Sequence, residues 1–282
     1  MTAISYEFFP TQTEAGAEKL QIQAALLAES NPEFFSVTYG AGGSTRDRTR
    51  GTLLATQQTT GLPVMPHLAC IGDSKDNIRS LLQDYKSLGI NRIIALRGDR
   101  PSGMGNMSNS DFQYASELVS FIREETGDHF HIEVAAYPEV HPQAWSMDAD
   151  LENLRRKVEA GADSAITQYF FNPDSFFYFM DRLAAMGIEV PVVPGIMPIT
   201  NYMKLARFSD ACGAELPRWV RKQLESYGDD SASIRQFGEE VVSQMCEKLI
   251  AQGVPALHFY TLNQAAPSLG IVKNLGLFPN QN

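Results

Sequence analysis

Short apolar runs recur along the whole chain, and each is followed by polar residues and then by a segment with helical spacing. The clearest run is Ile93 to Leu96, which is rich in β-branched residues. Such a run is typical of a strand buried on both faces, as in a parallel sheet. It ends abruptly in Arg97-Gly98-Asp99-Arg100. A buried strand with this ending places charged side chains at the rim of a core.

The same alternation predicts eight strands, each followed by a helix. The predicted strands are 4–9, 34–39, 63–70, 92–96, 131–137, 163–169, 191–197 and 257–262. The predicted helices are 13–28, 46–57, 76–88, 114–125, 148–160, 173–186 and 201–211, with a short final helix after Pro267. A longer insertion with helical spacing, 217–251, precedes the eighth strand. Strands that alternate with helices in this way form a parallel sheet.

Polar residues near six of the strand ends are separated by 29 to 38 residues: Glu7, Thr38, His67, Asp99, Tyr137 and Gln168. A βα unit of about 30 residues repeated eight times is typical of a TIM barrel. A doubly wound sheet is the main alternative, but the first βα turn lacks its GxGxxG pattern. The sequence therefore predicts an α/β fold, a (β/α)8 TIM barrel with an extra helical insertion before strand 8. We expect one catalytic domain over residues 1–282 and no regulatory domain.

Composition and charge exclude several classes of protein. The net charge of -10 and a pI of about 5.0 argue against a nucleic-acid binder, which would show a basic face. No apolar run is long enough for a membrane span, and the N-terminus lacks a signal peptide, so we expect a cytoplasmic protein. Cys70, Cys212 and Cys246 are far apart, which fits neither a disulfide framework nor a metal site.

In barrels of this kind the active site lies at the carboxyl ends of the strands. Glu7 interrupts an apolar run, so its carboxyl should point into apolar surroundings, which raise the pKa as a general acid requires. A paired structural glutamate is the alternative. Asp99 is either half of a salt bridge with Arg97 or an anionic group aimed at a substrate or a flavin ring. Gly40 to Thr45 suits a phosphate but lacks the P-loop pattern.

Taken together, the strand ends closely resemble the 5,10-methylenetetrahydrofolate reductase family, in its short bacterial form. The matching segments follow one another in order along essentially the whole chain. They are 6–10 (YEFFP), 36–43 (SVTYGAGG), 66–68 (PHL), 95–99 (ALRGD), 135–142 (AAYPEVHP), 166–168 (ITQ) and 258–263 (HFYTLN).

The resemblance implies a barrel that carries non-covalent FAD. In this family NADH or NADPH reduces the flavin, which then passes hydride to 5,10-methylenetetrahydrofolate in a ping-pong scheme. The product, 5-methyltetrahydrofolate, feeds methionine synthesis. The short bacterial form favours NADH, and a homo-oligomer, dimer or tetramer, is expected.

The resemblance also implies roles for single residues. Glu7 matches the general acid that protonates N10 of folate, and Asp99 matches an aspartate that contacts the pterin and tunes the flavin. The flavin-contacting positions are matched by Thr38, His67, Arg97, Gly98, Asp99, Tyr114, Ala115, Tyr137, His141, Asp150, Asn153 and Lys157. The substrate-binding positions are matched by Asp99, Gln168, Lys204, Phe208, Tyr260 and Gln264.

Two of these positions depart from the family pattern. Gln264 replaces an arginine that contacts substrate, and Lys204 replaces a glutamine found in several bacterial relatives. We expect Lys204 to supply the lost charge for the glutamate tail of folate. Two alternatives stay open. One is another flavin-dependent barrel oxidoreductase, of the proline dehydrogenase type, and the other is a catalytically silent paralogue that binds FAD or folate.

Overall fold

The structure, a computed structural model, describes residues 2–39, 43–98 and 110–279, with the side chains of 43–45 left out. Asp99, to which the resemblance assigns catalytic and binding roles, lies outside the described residues. Residues 40–42, the first half of the glycine-rich stretch 40–45, also lie outside them.

Parallel strands alternate with helices along the described chain. The strands are β1 (Ala3–Phe8), β2 (Phe35–Val37), β3 (Val64–Ala69), β4 (Arg92–Leu96), β5 (His131–Ala136), β6 (Ser164–Thr167), β7 (Val192–Val193), β8 (Gly195–Ile196) and β9 (Ala256–Tyr260). The helices are α1 (Glu14–Ala28), α2 (Gly43–Thr60), α3 (Lys75–Ser87), α4 (Ala115–Thr126), α5 (Met147–Glu159), α6 (Pro173–Ala185), α7 (Tyr202–Cys212), α8 (Arg218–Ser226), α9 (Ser231–Ala251) and α10 (Ala265–Asn274).

The strands form one sheet in the order β7-β6-β5-β4-β3-β2-β1-β9-β8. Its two end strands, β7 and β8, are consecutive in the chain, so the sheet curls into a nearly closed barrel. The predicted α/β barrel is confirmed. The predicted seventh strand, 191–197, is divided into β7 and β8 at Pro194, because proline has no N–H for the ladder.

Three helices, α7, α8 and α9, separate β8 from β9. That α8 and α9 are an insertion relative to other barrels stays a prediction. Within the described ranges, no helix is long and apolar enough to cross a lipid bilayer.

The side chains of β1 that pack against the surrounding helices determine which of its other side chains face the barrel interior. Tyr6 and Phe8 are fully buried and stack on Phe35, in the core cluster that includes residues of α1. Because successive side chains of a strand point to opposite faces, Ser5 and Glu7 point into the barrel. A one-residue slip of β1 would expose two large aromatic rings, at about 1.5–3 kcal/mol each. The register that places Glu7 inside is therefore strongly specified.

Candidate active site

The carboxyl ends of the strands surround a cavity of about 410 Å³. Its walls include strand-end residues from β1, β2, β3, β5, β6 and β9. The sequence-predicted site residues that line it are Glu7, Thr38, His67, Gly98, Tyr137, Gln168 and Tyr260. Side chains that are far apart in sequence are thus brought to one mouth of the barrel, as the spacing of the strands predicts.

Glu7 projects from β1 between two imidazoles. Its Oε2 lies 3.3 Å from Nε2 of His67 on β3 and 3.6 Å from Nε2 of His258 on β9. The Nδ1 of His258 lies 2.7 Å from Oγ of Ser5, and both residues are buried. Neither Nε2 atom forms a hydrogen bond elsewhere among the described residues. The carboxylate of Glu7 is therefore the group that both imidazoles face.

These contacts decide the charge of Glu7. Burial by itself would raise its pKa, because a low dielectric disfavours the carboxylate. The charges and hydrogen bonds of His67 and His258 outweigh burial and lower the pKa of Glu7 from 4.5 to about 2. The expectation of a raised pKa, which considered burial alone, is wrong for this cavity. Glu7 is held as a carboxylate by its two histidine neighbours.

The turn that follows β9 holds the end of β1 in place. The hydroxyl of Thr261 donates to the backbone carbonyl of Glu7 at 2.6 Å. Leu262 and Asn263 then have φ angles of 50° and 57°, in the left-handed region that non-glycine residues seldom adopt. Backbone strain of this kind persists only where surrounding contacts maintain it. The position of Glu7 therefore depends on a turn on the neighbouring strand.

Tyr260 is locked against the opposite wall. Its hydroxyl donates to the backbone carbonyl of Thr167 at 2.7 Å, and the N–H of Gly195 donates to Oγ1 of Thr167 at 2.9 Å. Burial and the nearby Glu7 raise the pKa of Tyr260 well above 10. The phenol therefore stays protonated and already has an acceptor, so it shapes the cavity beside Glu7.

The loop after β5 is fastened to α5 just behind the cavity wall. Lys157 donates from Nζ to the carbonyl of Ala135 at 2.5 Å, and Asp150 accepts the backbone N–H of His141 at 2.8 Å. The rings of Tyr137 and His141 meet edge to face at 4.6 Å. Burial lowers the pKa of Lys157 to about 8, and the charge of Asp150 only partly offsets it.

The remaining predicted residues lie farther from the cavity. Arg97 donates to the side chain of Gln143. Tyr114 and Ala115 lie at the start of α4 and Asn153 lies in the middle of α5, all outside the cavity lining, and Tyr114 and Asn153 are exposed. The three substrate positions outside the barrel interior, Lys204, Phe208 and Gln264, are exposed and also lie outside the lining.

Two residues of the Glu7 cluster, Ser5 and His258, were not predicted as site residues. Both could have been found from strand periodicity, since each lies two positions before a predicted residue and so shares its face. The register aligns Ser5 with His258 and Glu7 with Tyr260. Grouping Ser5 and His258 with Glu7 required knowing that β1 pairs with β9, which the sequence alone does not show.

The chain is similar to known proteins over nearly its whole length. The family model described as methylenetetrahydrofolate reductase matches residues 1–276. The 5,10-methylenetetrahydrofolate reductase of Escherichia coli (strain K12) is 41% identical over 276 residues, covering 98% of this chain and 91% of that protein. The protein named methylenetetrahydrofolate reductase (NADH) 1 of Zea mays is 39% identical over 98% of this chain, which spans 48% of the plant protein.

A solved structure shares the fold. It is an uncharacterized protein from Clostridium thermocellum that binds two copies of 5-methyl-5,6,7,8-tetrahydrofolic acid. Its TM-score is 0.68 over 97% of this chain and 94% of that chain, at 13% sequence identity. That likeness shows the fold alone, whereas the family match and the identity to the bacterial enzymes extend over nearly the whole sequence. The chain belongs to the methylenetetrahydrofolate reductase family.

Proposed function

We propose that this protein reduces 5,10-methylenetetrahydrofolate to 5-methyltetrahydrofolate with a bound FAD that takes hydride from NADH or NADPH in a ping-pong cycle. The product would serve methionine synthesis. The observation that carries the proposal is the placement of Glu7 in the mouth cavity. It is the one carboxylate among the described lining residues, and the amide of Gln168 lines the same space.

The side chains around the cavity fit a flavin. Thr38, His67 and Tyr137 offer a hydroxyl, an imidazole and a phenol, and Gly98 exposes backbone between them. Such a mixture of apolar surface with a few polar groups is usual for a cofactor site. When bound, FAD supplies the hydride. Glu7, with its histidine neighbours, handles the proton.

Lys157 fits the phosphate groups of the same cofactor. It is partly buried, and among the described residues no carboxylate forms an ion pair with it. Its lowered pKa means that the charge of Asp150 compensates the buried charged form only in part in the free protein. An anionic diphosphate would provide that compensation. Arg97, Tyr114, Ala115, His141, Asp150 and Asn153 are proposed to complete the flavin site.

The folate would meet Glu7 and Gln168 at its pterin end. The side-chain oxygen of Gln168 accepts the N–H of Tyr169 at 3.0 Å, which orients the amide. At the other end, Lys204 and Phe208 on exposed positions of α7 would contact the benzoyl-glutamate portion, with Gln264 beside it. NADH is the proposed electron donor, which the naming of the plant relatives supports. A homo-oligomer and a cytoplasmic location stay predictions.

Anaerobic half-reactions test the proposal. The purified protein should show an oxidised-flavin spectrum that NADH bleaches and that methylenetetrahydrofolate then restores. Bound flavin that is inert to both reagents would instead indicate a silent FAD-binding or folate-binding paralogue. Restoration only by a different acceptor would indicate another flavin-dependent barrel oxidoreductase.

A further inference from the structure

We propose that Glu7, His67 and His258 hold one proton in common, and that His258, anchored by Ser5, stores and positions the proton that Glu7 delivers to folate. This inference rests on the proposed function. It makes His258 a positioning residue, since it is fully buried and acts through Glu7.

The geometry supports a shared proton. The Nε2 atoms of both histidines approach the same carboxylate oxygen, Oε2 of Glu7, at 3.3 and 3.6 Å. Both nitrogens are buried and form no hydrogen bond with another described residue. A proton on either nitrogen therefore has one acceptor in reach, and a proton on Oε2 has two.

Ser5 allows His258 to change its protonation state without leaving a buried atom unpaired. A serine hydroxyl both donates and accepts hydrogen bonds. An imidazolium that gives up its Nε2 proton keeps its Nδ1–H, so the oxygen of Ser5 accepts from Nδ1 before and after the transfer, at the same 2.7 Å separation. Since Ser5 is 2% exposed and His258 is 0% exposed, no solvent molecule is needed for either state.

Substrate binding supplies the trigger. In the free protein the mouth cavity is open to water. A folate that displaces this water lowers the local dielectric, which makes two separate charges costlier than a neutral acid beside a neutral imidazole. The proton then moves from Nε2 to Oε2 of Glu7.

The transfer of this proton from Glu7 to folate needs no further reactant. The Oε2–H bond breaks as a bond to N10 of folate forms, and the electron pair of the breaking C–N10 bond stays on N10. Glu7 is left as a carboxylate and His258 as a neutral imidazole, so the cluster holds one proton fewer than before. Product release readmits water to the cavity, which returns the proton.

Other titratable groups around Glu7 do not compete for this proton. Tyr260 is its neighbour on β9, but that hydroxyl already donates to Thr167 and its pKa is well above 10. Tyr137 and Tyr169 also line the cavity, and the ring of Tyr169 lies 6.3 Å from that of Tyr260. The neighbouring strand β2 contributes Ser36 and Thr38 to the same face, and neither titrates.

Stopped-flow measurements on the FAD-loaded enzyme test the role of His258. We expect His258→Gln to slow the folate half-reaction about 100-fold, within the range that a positioned proton donor contributes. The NADH half-reaction should change less than about twofold. Ser5→Ala should give a smaller loss in the same half-reaction. Ser36→Ala is the matched control, because Ser36 faces the barrel interior opposite Glu7 without a hydrogen bond.

Infrared difference titration gives a readout that needs no cofactor. In the wild-type protein the carboxylate band assigned by Glu7→Gln should persist down to about pH 2. In a variant with His67→Gln and His258→Gln, burial acts alone, and the titration midpoint should rise above 4.5. A midpoint that does not move would overturn the shared-proton cluster.

The outcomes separate this inference from the proposed function. If wild-type flavin is never reoxidised by folate, the proposed function fails, while the infrared titration still reports on the cluster. If folate reoxidises His258→Gln and Ser5→Ala at the wild-type rate and with the wild-type pH profile, the inference fails and the proposed function stands.

Discussion

The side-chain amide of Asn263 brackets the backbone of Phe9. Its Oδ1 accepts the N–H of Phe9 at 3.0 Å, and its Nδ2 donates to the carbonyl of the same residue at 2.9 Å. The two residues are 254 positions apart in the sequence. The bracket joins the turn after β9 to the end of β1, two residues beyond Glu7, and so completes the support that Thr261 begins.

Asn263→Ala should destabilise the protein and weaken folate reduction more than flavin reduction. It removes both hydrogen bonds and places alanine at a left-handed φ, for a loss of about 1–3 kcal/mol. Urea unfolding measures the loss. Asn31→Ala is the control, because Asn31 has a similar φ of 52° but no such bracket. Equal losses in the two variants would show that the bracket contributes nothing.

Glu7→Gln should leave NADH reduction of the flavin intact and abolish most folate reduction. The amide keeps the size of the side chain but cannot carry the proton, and general acid catalysis is worth about 100-fold or more. Single-turnover absorbance of the flavin measures both steps. Glu33→Gln, an exposed change before β2, is the control. Two intact half-reactions in Glu7→Gln would remove Glu7 from the mechanism.

FAD affinity should fall as the pH rises through 8. The pKa of Lys157 is lowered to about 8 in the free protein. Below that value the lysine is charged and attracts the diphosphate, and above it the charge is lost. A bound anion raises the pKa again, so linkage predicts binding about tenfold weaker near pH 9 than near pH 7. Titration of the apoprotein measures this, and Lys157→Met should flatten the dependence. If Lys157→Met still bound FAD about tenfold more weakly near pH 9 than near pH 7, the pH dependence would belong to another group.

Gly195→Ala should prevent normal folding of the seventh strand. A Cβ atom there would lie 2.2 Å from the carbonyl oxygen of Thr167 and 2.6 Å from the ring of Tyr260. Neither neighbour can move without breaking the hydrogen bond between them, so we expect a loss of about 3 kcal/mol or more. Thermal unfolding measures it. Gly51→Ala, where nothing lies within 4 Å, should be neutral or stabilising.

Lys204→Ala should raise the KM for methylenetetrahydrofolate about threefold to fivefold and leave the KM for NADH unchanged, as expected for one exposed charge contact. Steady-state kinetics at low salt measure both constants. Adding Gln264→Arg should restore folate affinity, since it returns a cation beside the proposed position of the glutamate tail. Unchanged folate kinetics in Lys204→Ala would exclude this lysine from the site.

Much of the barrel could be predicted from sequence, because each strand is a short apolar run and each helix has its own periodicity. Strand β4, for example, has the predicted bounds of Arg92 and Leu96. The division at Pro194 was missed although a proline inside a strand pattern argues against continuous pairing. Hydrophobic periodicity shows which face of the sheet a side chain occupies. Whether the missing N–H of Pro194 interrupts the pairing depends instead on which strand lies beside it.

The site was partly predictable for a different reason. In parallel barrels all strand ends meet, so Glu7, Thr38, His67, Tyr137 and Gln168 could be grouped without knowing their distances. The sign of the pKa shift of Glu7 could not be predicted in this way. It depends on two nitrogen atoms within 3.6 Å, one of them on a strand 251 residues away in sequence. The role of Asp99 stays a prediction.

Pro194 gives the barrel a seam. β7 is bonded to β6 and β8 to β9, so the backbone pairing changes partner strand at Pro194, whose carbonyl accepts from the N–H of His258 on β9. Across this seam the hydroxyl of Tyr260 and the N–H of Gly195 both donate to Thr167, so two bonds to one residue of β6 close the barrel there in place of a strand ladder. The segment beyond the seam leads into α7, which carries Lys204 and Phe208, while β2 to β5 carry the proposed flavin wall. The side of the barrel next to the proposed sites of the exchanging substrates is therefore closed by bonds to Thr167, whereas the side assigned to the resident cofactor is closed by continuous strand pairing.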